Sequence, residues 1–340
     1  MKLILQIQLL PDTNQALRLC ETGERFNEAA NWLASEAFAI GMANKVELQK
    51  LHYRTLRDRF GLSAQMAVRC IAQVVEAYKR DRRKRPRFRR RAAMPFDQRM
   101  MSFKGIDRVS LLTLEGRAIV PFVMGAYQRE RFTLRKGQAD LVLRKDGKWF
   151  LLVTVDVPEG APIPVTDFLG VDLGVANLAS TSDGERVSGE GVEAVRVKRA
   201  CVQRSLGKKM SRKHKRRTRR NARRGMRRIG NREQRFRRHT NHCISKSLVA
   251  AAKGTARGLA LEDLTGIRER TRFRRKQRAR LGGWAFAQLR QFVAYKAKLA
   301  GVPIVVVDAR NTSRTCAECG HCEKTNRQSQ DSFACRACGH

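Results

Sequence analysis

Two groups of residues in this 340-residue chain have types and spacings that could do chemistry: four cysteines near the C-terminus and two carboxylates at the ends of apolar runs. The cysteines fall in two near-copies of one knuckle, CAECGH at 316–321 and CRACGH at 335–340. The spacing Cys316-x2-Cys319-x15-Cys335-x2-Cys338 is that of a structural four-cysteine zinc site. With all four positions filled, such a metal would hold the fold rather than react. Gly320 and Gly339 end the knuckles and can take the positive φ that brings backbone N–H groups toward the sulfurs. Cys322, His321 and His340 stand close by as spare donors, so a mixed ligand set stays open. Cys20, Cys70, Cys201 and Cys243 are isolated in the sequence and read as packing residues.

The carboxylates are Asp172, in the apolar stretch FLGVDLGVANLA (168–179), and Glu262, in the run LALEDL. The first stretch reads as a buried strand. An ionised carboxylate taken out of water there costs several kcal/mol unless a cation or a metal compensates it. Two acids at strand ends of one α/β sheet can converge on divalent metals, and the matching reaction is two-metal phosphodiester hydrolysis. The alternative stands beside it: each acid pairs with one of the many arginines.

Those arginines dominate the composition. There are 71 Lys and Arg against 31 Asp and Glu, a net charge of +40 that implies a polyanionic partner. Aromatics are only 6%, which favours contact with phosphate backbone over stacking on bases. Apolar runs such as WFLLVTV and GVPIVVV are too short to span a bilayer. No secretion signal precedes the cysteines, so they point to metal rather than disulfides and to an intracellular protein.

The elements that must position these groups follow from periodicity. Residues 2–10 alternate as a strand ended by Pro11, after which Asp12 or Thr13 caps a long helical region, with a further helix from Ser63. That helix leads into KRDRRKRPRFRRR (79–91), where ten of thirteen residues are Lys or Arg. From residue 100 the period becomes two, with a hairpin turning at Asp146-Gly147, and Pro162 and Pro164 mark a boundary. Beyond it come the Asp172 strand and a hairpin at Ser182-Asp183-Gly184. A proline-free basic block follows (196–238, 21 Lys or Arg and one acid, Glu233), read as one long helix or a helix pair. ARGLALEDL then reads as a strand, RERTRFRRKQRAR as another basic segment, WAFAQLRQFVAYKAKLAG as a helix from near Trp284, and VPIVVVDA as the last strand. This order is the α/β pattern of a mixed sheet with helices on its faces.

Taken in sequence, FLGVDLGVANLAS, the basic block, LALEDL, WAFAQLRQFVAYKAKLAGVPIVVVDARNTSRTCAECGH and FACRACGH resemble the TnpB/OrfB family. These are transposon-encoded RNA-guided nucleases, relatives of the type V CRISPR effectors. The motifs match over residues 166–340, with a looser fit before them. The resemblance implies an α/β fold: a RuvC-like (RNase H-like) nuclease domain at 166–314 and an inserted zinc ribbon at 315–340. Residues 1–10 and 100–165 would form a wedge-like β domain carrying a helical recognition insert at 11–99. Asp172 and Glu262 match the family's catalytic acids and would bind Mg2+, with Asp263 pointing elsewhere as alternate strand residues do. Cys316, Cys319, Cys335 and Cys338 match its zinc ligands. A guide RNA and a target DNA beside a short flanking motif would be the partners, with no membrane, in a prokaryotic cytoplasm and at the nucleoid when DNA is bound; the pattern fixes no oligomeric state.

One departure matters. The family's third acid follows the last knuckle in a further helix, whereas this sequence stops at His340, and Asp308 in VVVDAR is the available substitute. Two expectations result: an RNA-guided, Mg2+-dependent DNA endonuclease, or an RNA-guided DNA-binding protein with weak or no cutting; the departure reads either as a truncated copy or fragment or as a protein that keeps guided binding without cutting. A zinc-ribbon protein that coats RNA without a guide would leave GVDLG and LEDL unexplained.

Overall fold

Strand β1 (Lys2–Leu9) buries Leu5, Ile7 and Leu9 and exposes Lys2, Ile4 and Gln6, the period of two that its sequence predicts. The computed structural model describes residues 1–211, 213–263, 286–308, 314–327 and 332–340. They divide into two compact units, Met1–Pro158 and Glu159–His340.

In the first unit β1 lies in the middle of a seven-stranded antiparallel sheet of order β2-β6-β7-β1-β5-β4-β3. Its partners are β2 (Met94–Phe96), β3 (Met101–Lys104), β4 (Arg108–Thr113), β5 (Gly116–Val123), β6 (Arg135–Leu143) and β7 (Trp149–Asp156). The β6–β7 hairpin turns at Asp146-Gly147, where Gly147 takes φ +82°. Three helices interrupt the strand sequence: α1 (Thr13–Ala39), α2 (Lys45–Phe60) and α3 (Ala64–Tyr78), with a short α4 (Ala126–Phe132) further on. Asp12 and Gln15 close a capping box on α1, and Ser63 caps α3. The separate α2 is a correction to the single helical region expected before Ser63. Gly41 at φ +65° ends the preceding helix, and Asn44 caps the next by accepting from the N–H groups of Val46 and Glu47.

The second unit holds a five-stranded sheet of order β10-β9-β8-β11-β12. Strands β8 (Phe168–Asp172), β9 (Asn177–Thr181) and β10 (Arg186–Ser188) form an antiparallel meander whose turn uses Gly184 at φ +87°. Strands β11 (Gly258–Glu262) and β12 (Ile304–Val307) extend it in parallel with β8. Parallel strands need crossovers, and helices α5 (Glu190–Lys209), α6 (Arg216–Ile229) and α7 (Arg232–Gly254) supply the first while α8 (Phe286–Ala300) serves the second. The start of α8 near Trp284 and the basic segment 268–280 lie outside the described residues.

The basic block is therefore three helices rather than one or a pair, with α5 ending at Lys209, α6 running Arg216–Ile229 and α7 starting at Arg232. The break lets α6 fold back on α5, where Gly225 sits so near Leu206 that a Cβ would come within 3.3 Å of its methyls. The one acid of the block, Glu233, is buried and takes Arg199 of α5 at 2.6 Å and Arg237 of its own helix at 3.6 Å, tying α5 to α7. A lone carboxylate is tolerated there because two guanidinium groups offset its loss of water.

The core of this unit lies on one face of the sheet. Leu169 and Val171 of β8 and Leu259 and Leu261 of β11 pack against Ile244, Leu248 and Ala252 of α7 and Leu289, Val293 and Ala297 of α8. Gly258 permits this pairing: a Cβ there would meet the Phe168 ring at 2.4 Å. Gly258→Val should thus push β11 away from β8 and lower stability by roughly 1–3 kcal/mol, measured by denaturant unfolding; an unchanged midpoint would show that the ring simply swings aside.

Candidate functional site

The register of β8 on β11 places the two acids. Val171 stands opposite Leu261, so the next residues, Asp172 and Glu262, come level at the C-terminal ends of adjacent parallel strands. Strands in register about 4.8 Å apart point matched side chains to the same side. Here that is the face opposite the helix-packed Leu169, Val171, Leu259 and Leu261, and the positions next to the acids on that face of their own strands are the small residues Gly170 and Ala260. Two carboxylates so placed can share a hard cation through oxygen.

The expectation that Asp172 is a buried charge is corrected. Asp172 is exposed, the last residue of the pattern in which Leu169 and Val171 turn inward, and Glu262 is half-buried. No desolvation penalty needs compensating at Asp172. Nor does a described arginine or lysine pair with it, so among the described residues the ion-pair alternative has no partner there. The arginine pairing falls instead on its neighbours. Asp263, one residue past β11, takes Arg290 of α8 at 2.7 Å and donates its N–H to Val307 at 2.8 Å. Asp183 in the β9–β10 turn is held by Arg257, whose hydrogen bonds keep that carboxyl below its usual range. Asp308 is exposed, one residue beyond β12, where Val307 is level with Glu262.

The four knuckle cysteines meet: their sulfurs all lie within 4.8 Å of one another. Cys316 and Cys338 are 3.5 Å apart, as are Cys319 and Cys335. The two knuckles repeat one backbone pattern. Gly320 and Gly339 take φ +71° and +77°, their N–H groups bond to the carbonyls of Cys316 and Cys335, and those cysteines in turn donate to the carbonyls of His321 and His340. Asn326, which the sequence did not single out, joins the halves. Fully buried, it donates to the carbonyls of Arg314 and His321 and accepts from the N–H of Arg336.

This environment separates the thiols. The N–H of Cys338, aided by that of Ala337, lowers Cys335 to about 6. Cys338 rises to about 12: the N–H of His340 pulls it down, but the sulfurs of Cys319 and Cys316 and burial outweigh that pull. A set of four soft sulfur donors in one shell fits a tetrahedral zinc ion, which would take all four as thiolates. The cluster contains none of the spare donors: His321 lies 3.3 Å from Glu323, and Cys322 is exposed. Of the isolated cysteines, Cys70 alone packs fully, its thiol pushed to about 12 by burial, and Cys20 is half-buried. Cys201 and Cys243 are exposed, so the packing reading fails for them; each sits on a long helix whose buried stripe falls elsewhere.

Residues 150–265 match the OrfB_IS605 model, described as a probable transposase, and residues 286–340 match the Cas12f1-like TNB domain. The CRISPR-associated endodeoxyribonuclease Cas12f1 of Sulfoacidibacillus thermotolerans is 29% identical over 260 residues, covering 72% of this chain and 58% of that protein. The putative RNA-guided DNA endonuclease InsQ of Escherichia coli is 26% identical over 267 residues, 73% of this chain and 65% of its own length. A TnpB-like protein of Methanocaldococcus jannaschii is 26% identical over 230 residues, 65% and 81%. The match thus spans less than two thirds of the Cas12f1 and InsQ chains.

Among solved structures, a Cas12f1–sgRNA–target DNA complex aligns with a TM-score of 0.62 at 13% identity, over 94% of this chain and 80% of that one. The mini-RNA-guided endonuclease CRISPR-Cas_phi3 aligns at 0.61 and 10%, over 100% and 90%. At such identities the shared property is the fold. The matched stretches are thus similar to the TnpB/OrfB family to which the motifs point. No described helix is long and apolar enough to cross a membrane.

Purified protein should carry about one zinc per chain, measured by elemental analysis, and Cys335→Ser should lower that content and loosen residues 314–340 in hydrogen exchange. Fully protected residues 314–340 in zinc-free protein would overturn the assignment.

Proposed function

We propose that this chain is an RNA-guided, Mg2+-dependent DNA endonuclease of the transposon-encoded TnpB type. The observation that carries this reading is the level placement of Asp172 and Glu262 on one sheet face of a +40 chain. The second unit's sheet, a meander extended by two parallel strands beyond its first strand, suits a RuvC-like domain. The first unit's sheet suits a wedge domain, and α1–α3 suit a recognition insert.

In this reading Asp172 and Glu262 offer carboxylate oxygens, the donors Mg2+ prefers. The metal, when bound, would supply activation of water and neutralisation of the leaving oxygen. The remaining work belongs to the chain. Arg290 holds Asp263 off the acid face, and Arg257 ties the β9–β10 turn to the start of β11. The basic blocks at 79–91 and 196–238 hold sugar-phosphate backbones, while base pairing between guide RNA and DNA carries sequence specificity and the protein reads a short flanking motif.

A second reading, guided DNA binding with weak or no cutting, has one observation in its favour. Among the described residues no third carboxylate joins Asp172 and Glu262 in a cluster able to hold a metal.

The test begins with RNA that co-purifies at high salt. One discrete species with a constant structured part and a variable end is expected; a smear of cellular RNA would contradict guide dependence. On DNA complementary to that variable end, Asp172→Ala should abolish Mg2+-dependent cleavage and leave binding intact. Wild-type protein that binds this DNA without cutting it would establish the second reading. Cleavage that survives Asp172→Ala would remove the acid from the chemistry.

A further inference from the structure

The segment 79–93 joins α3 to β2 and carries no helix or strand of its own. Like charges in a run repel and ordinarily leave a chain disordered. Here the segment is strapped along α1 instead. Four residues on one stripe of that helix, Glu24, Asn27, Asn31 and Ser35, stand three or four positions apart and so face the same way.

Each holds a different point of the strap, which runs antiparallel to the helix. Ser35 Oγ accepts from Arg85 at 2.9 Å. The Asn31 amide both donates to the carbonyl of Phe88 and accepts from its N–H, each at 2.8 Å, as a neighbouring strand would. Asn27, with no exposed surface, donates to the carbonyls of Arg90 at 3.3 Å and Ala92 at 3.1 Å. Glu24 takes Arg90 at 2.6 Å and Arg91 at 2.8 Å, and the Arg91 guanidinium holds that carboxyl below its usual range.

The anchoring is costly for what it buries. The Asn27 Oδ1 is left buried without a partner, and the strap itself tucks in little beyond Pro86 and Phe88, both only half-buried. What it gains is a fixed display of charge. Arg85, Arg87 and Arg89, which alternate with the half-buried Pro86 and Phe88, are exposed. Order established before binding spares the entropy that a floppy basic tail would lose on contact.

We infer that residues 85–91 form a pre-ordered rail for one sugar-phosphate backbone, with Arg87 and Arg89 contacting phosphates and Asn27 and Asn31 acting as positioning residues. This rests on the nucleic-acid partner proposed above and adds which side chains grip it and what holds them in place.

The full chain would be titrated by fluorescence anisotropy against labelled single-stranded RNA, an RNA–DNA heteroduplex and duplex DNA over a range of salt. Arg87→Ala with Arg89→Ala should reduce the slope of log affinity against log salt by roughly 1.4–1.8, the release expected for two phosphate contacts. Asn31→Ala keeps every charge, so it should weaken binding several-fold at unchanged slope and with little loss of melting temperature. Arg54→Ala with Arg57→Ala, exposed on α2, is the control for bulk charge. A loss confined to probes containing RNA would seat an RNA strand on the rail; equal loss on all probes would assign the backbone they share. Wild-type affinity and slope in the Arg87/Arg89 variant, or losses no larger than the control's, would overturn the rail while nucleic-acid binding stands. A wild-type chain that binds none of the probes would overturn the rail together with the proposed function.

Discussion

The pairing of β8 with β11 is the constraint on which the second unit depends. A shift of one residue would set Asp172 level with a residue of the opposite face and turn one acid toward the helices. Two features fix the register. Leu169, Val171, Leu259 and Leu261 must all face α7 and α8, and Gly258 must yield space to the Phe168 ring. The same inward alternation that builds the core therefore leaves Asp172 and Glu262 together on the other face. Packing and the placement of the two acids are set by one hydrogen-bonded ladder.

Charge is the second organising force, and the fold confines it rather than neutralising it. With 71 basic residues the chain has few acids to spend, and several of them sit where basic segments must be tied down. Glu233 gathers Arg199 and Arg237 at the helical crossover, and Glu24 gathers Arg90 and Arg91 on α1. These acids shape basic surfaces that a polyanion can then complete. Ion pairs at the exposed guanidinium groups contribute little to stability on their own; their role is to fix where the remaining charges stand.

Much of this was legible in the sequence where a local rule has no competitor. The cysteine spacing foretold a cluster, and the hairpins at 146–147 and 182–184 turn where the glycines allow positive φ. The exposure of Asp172 was misread because the stretch around it is apolar overall; counting in twos from Leu169 turns it outward. Gly41 and Asn44 signalled the break before α2, but apolar periodicity on both sides masked it. The division of 196–238 into three helices depends on Gly225 meeting Leu206, and the meeting of the two acids on a pairing between strands about ninety residues apart. Tertiary contacts of that kind leave no local trace, and neither does the clasp of Asn27 and Asn31 on a strap some sixty residues away.

Asp172 and Glu262 are proposed to share a metal because the register makes them neighbours. Titration of the full chain with Mn2+, followed by electron paramagnetic resonance, tests it without any need for a guide or a target. Saturable binding that Asp172→Asn and Glu262→Gln each abolish, and that Asp263→Asn leaves intact, is the expected result. Equal Mn2+ binding in wild type and both acid variants would contradict it.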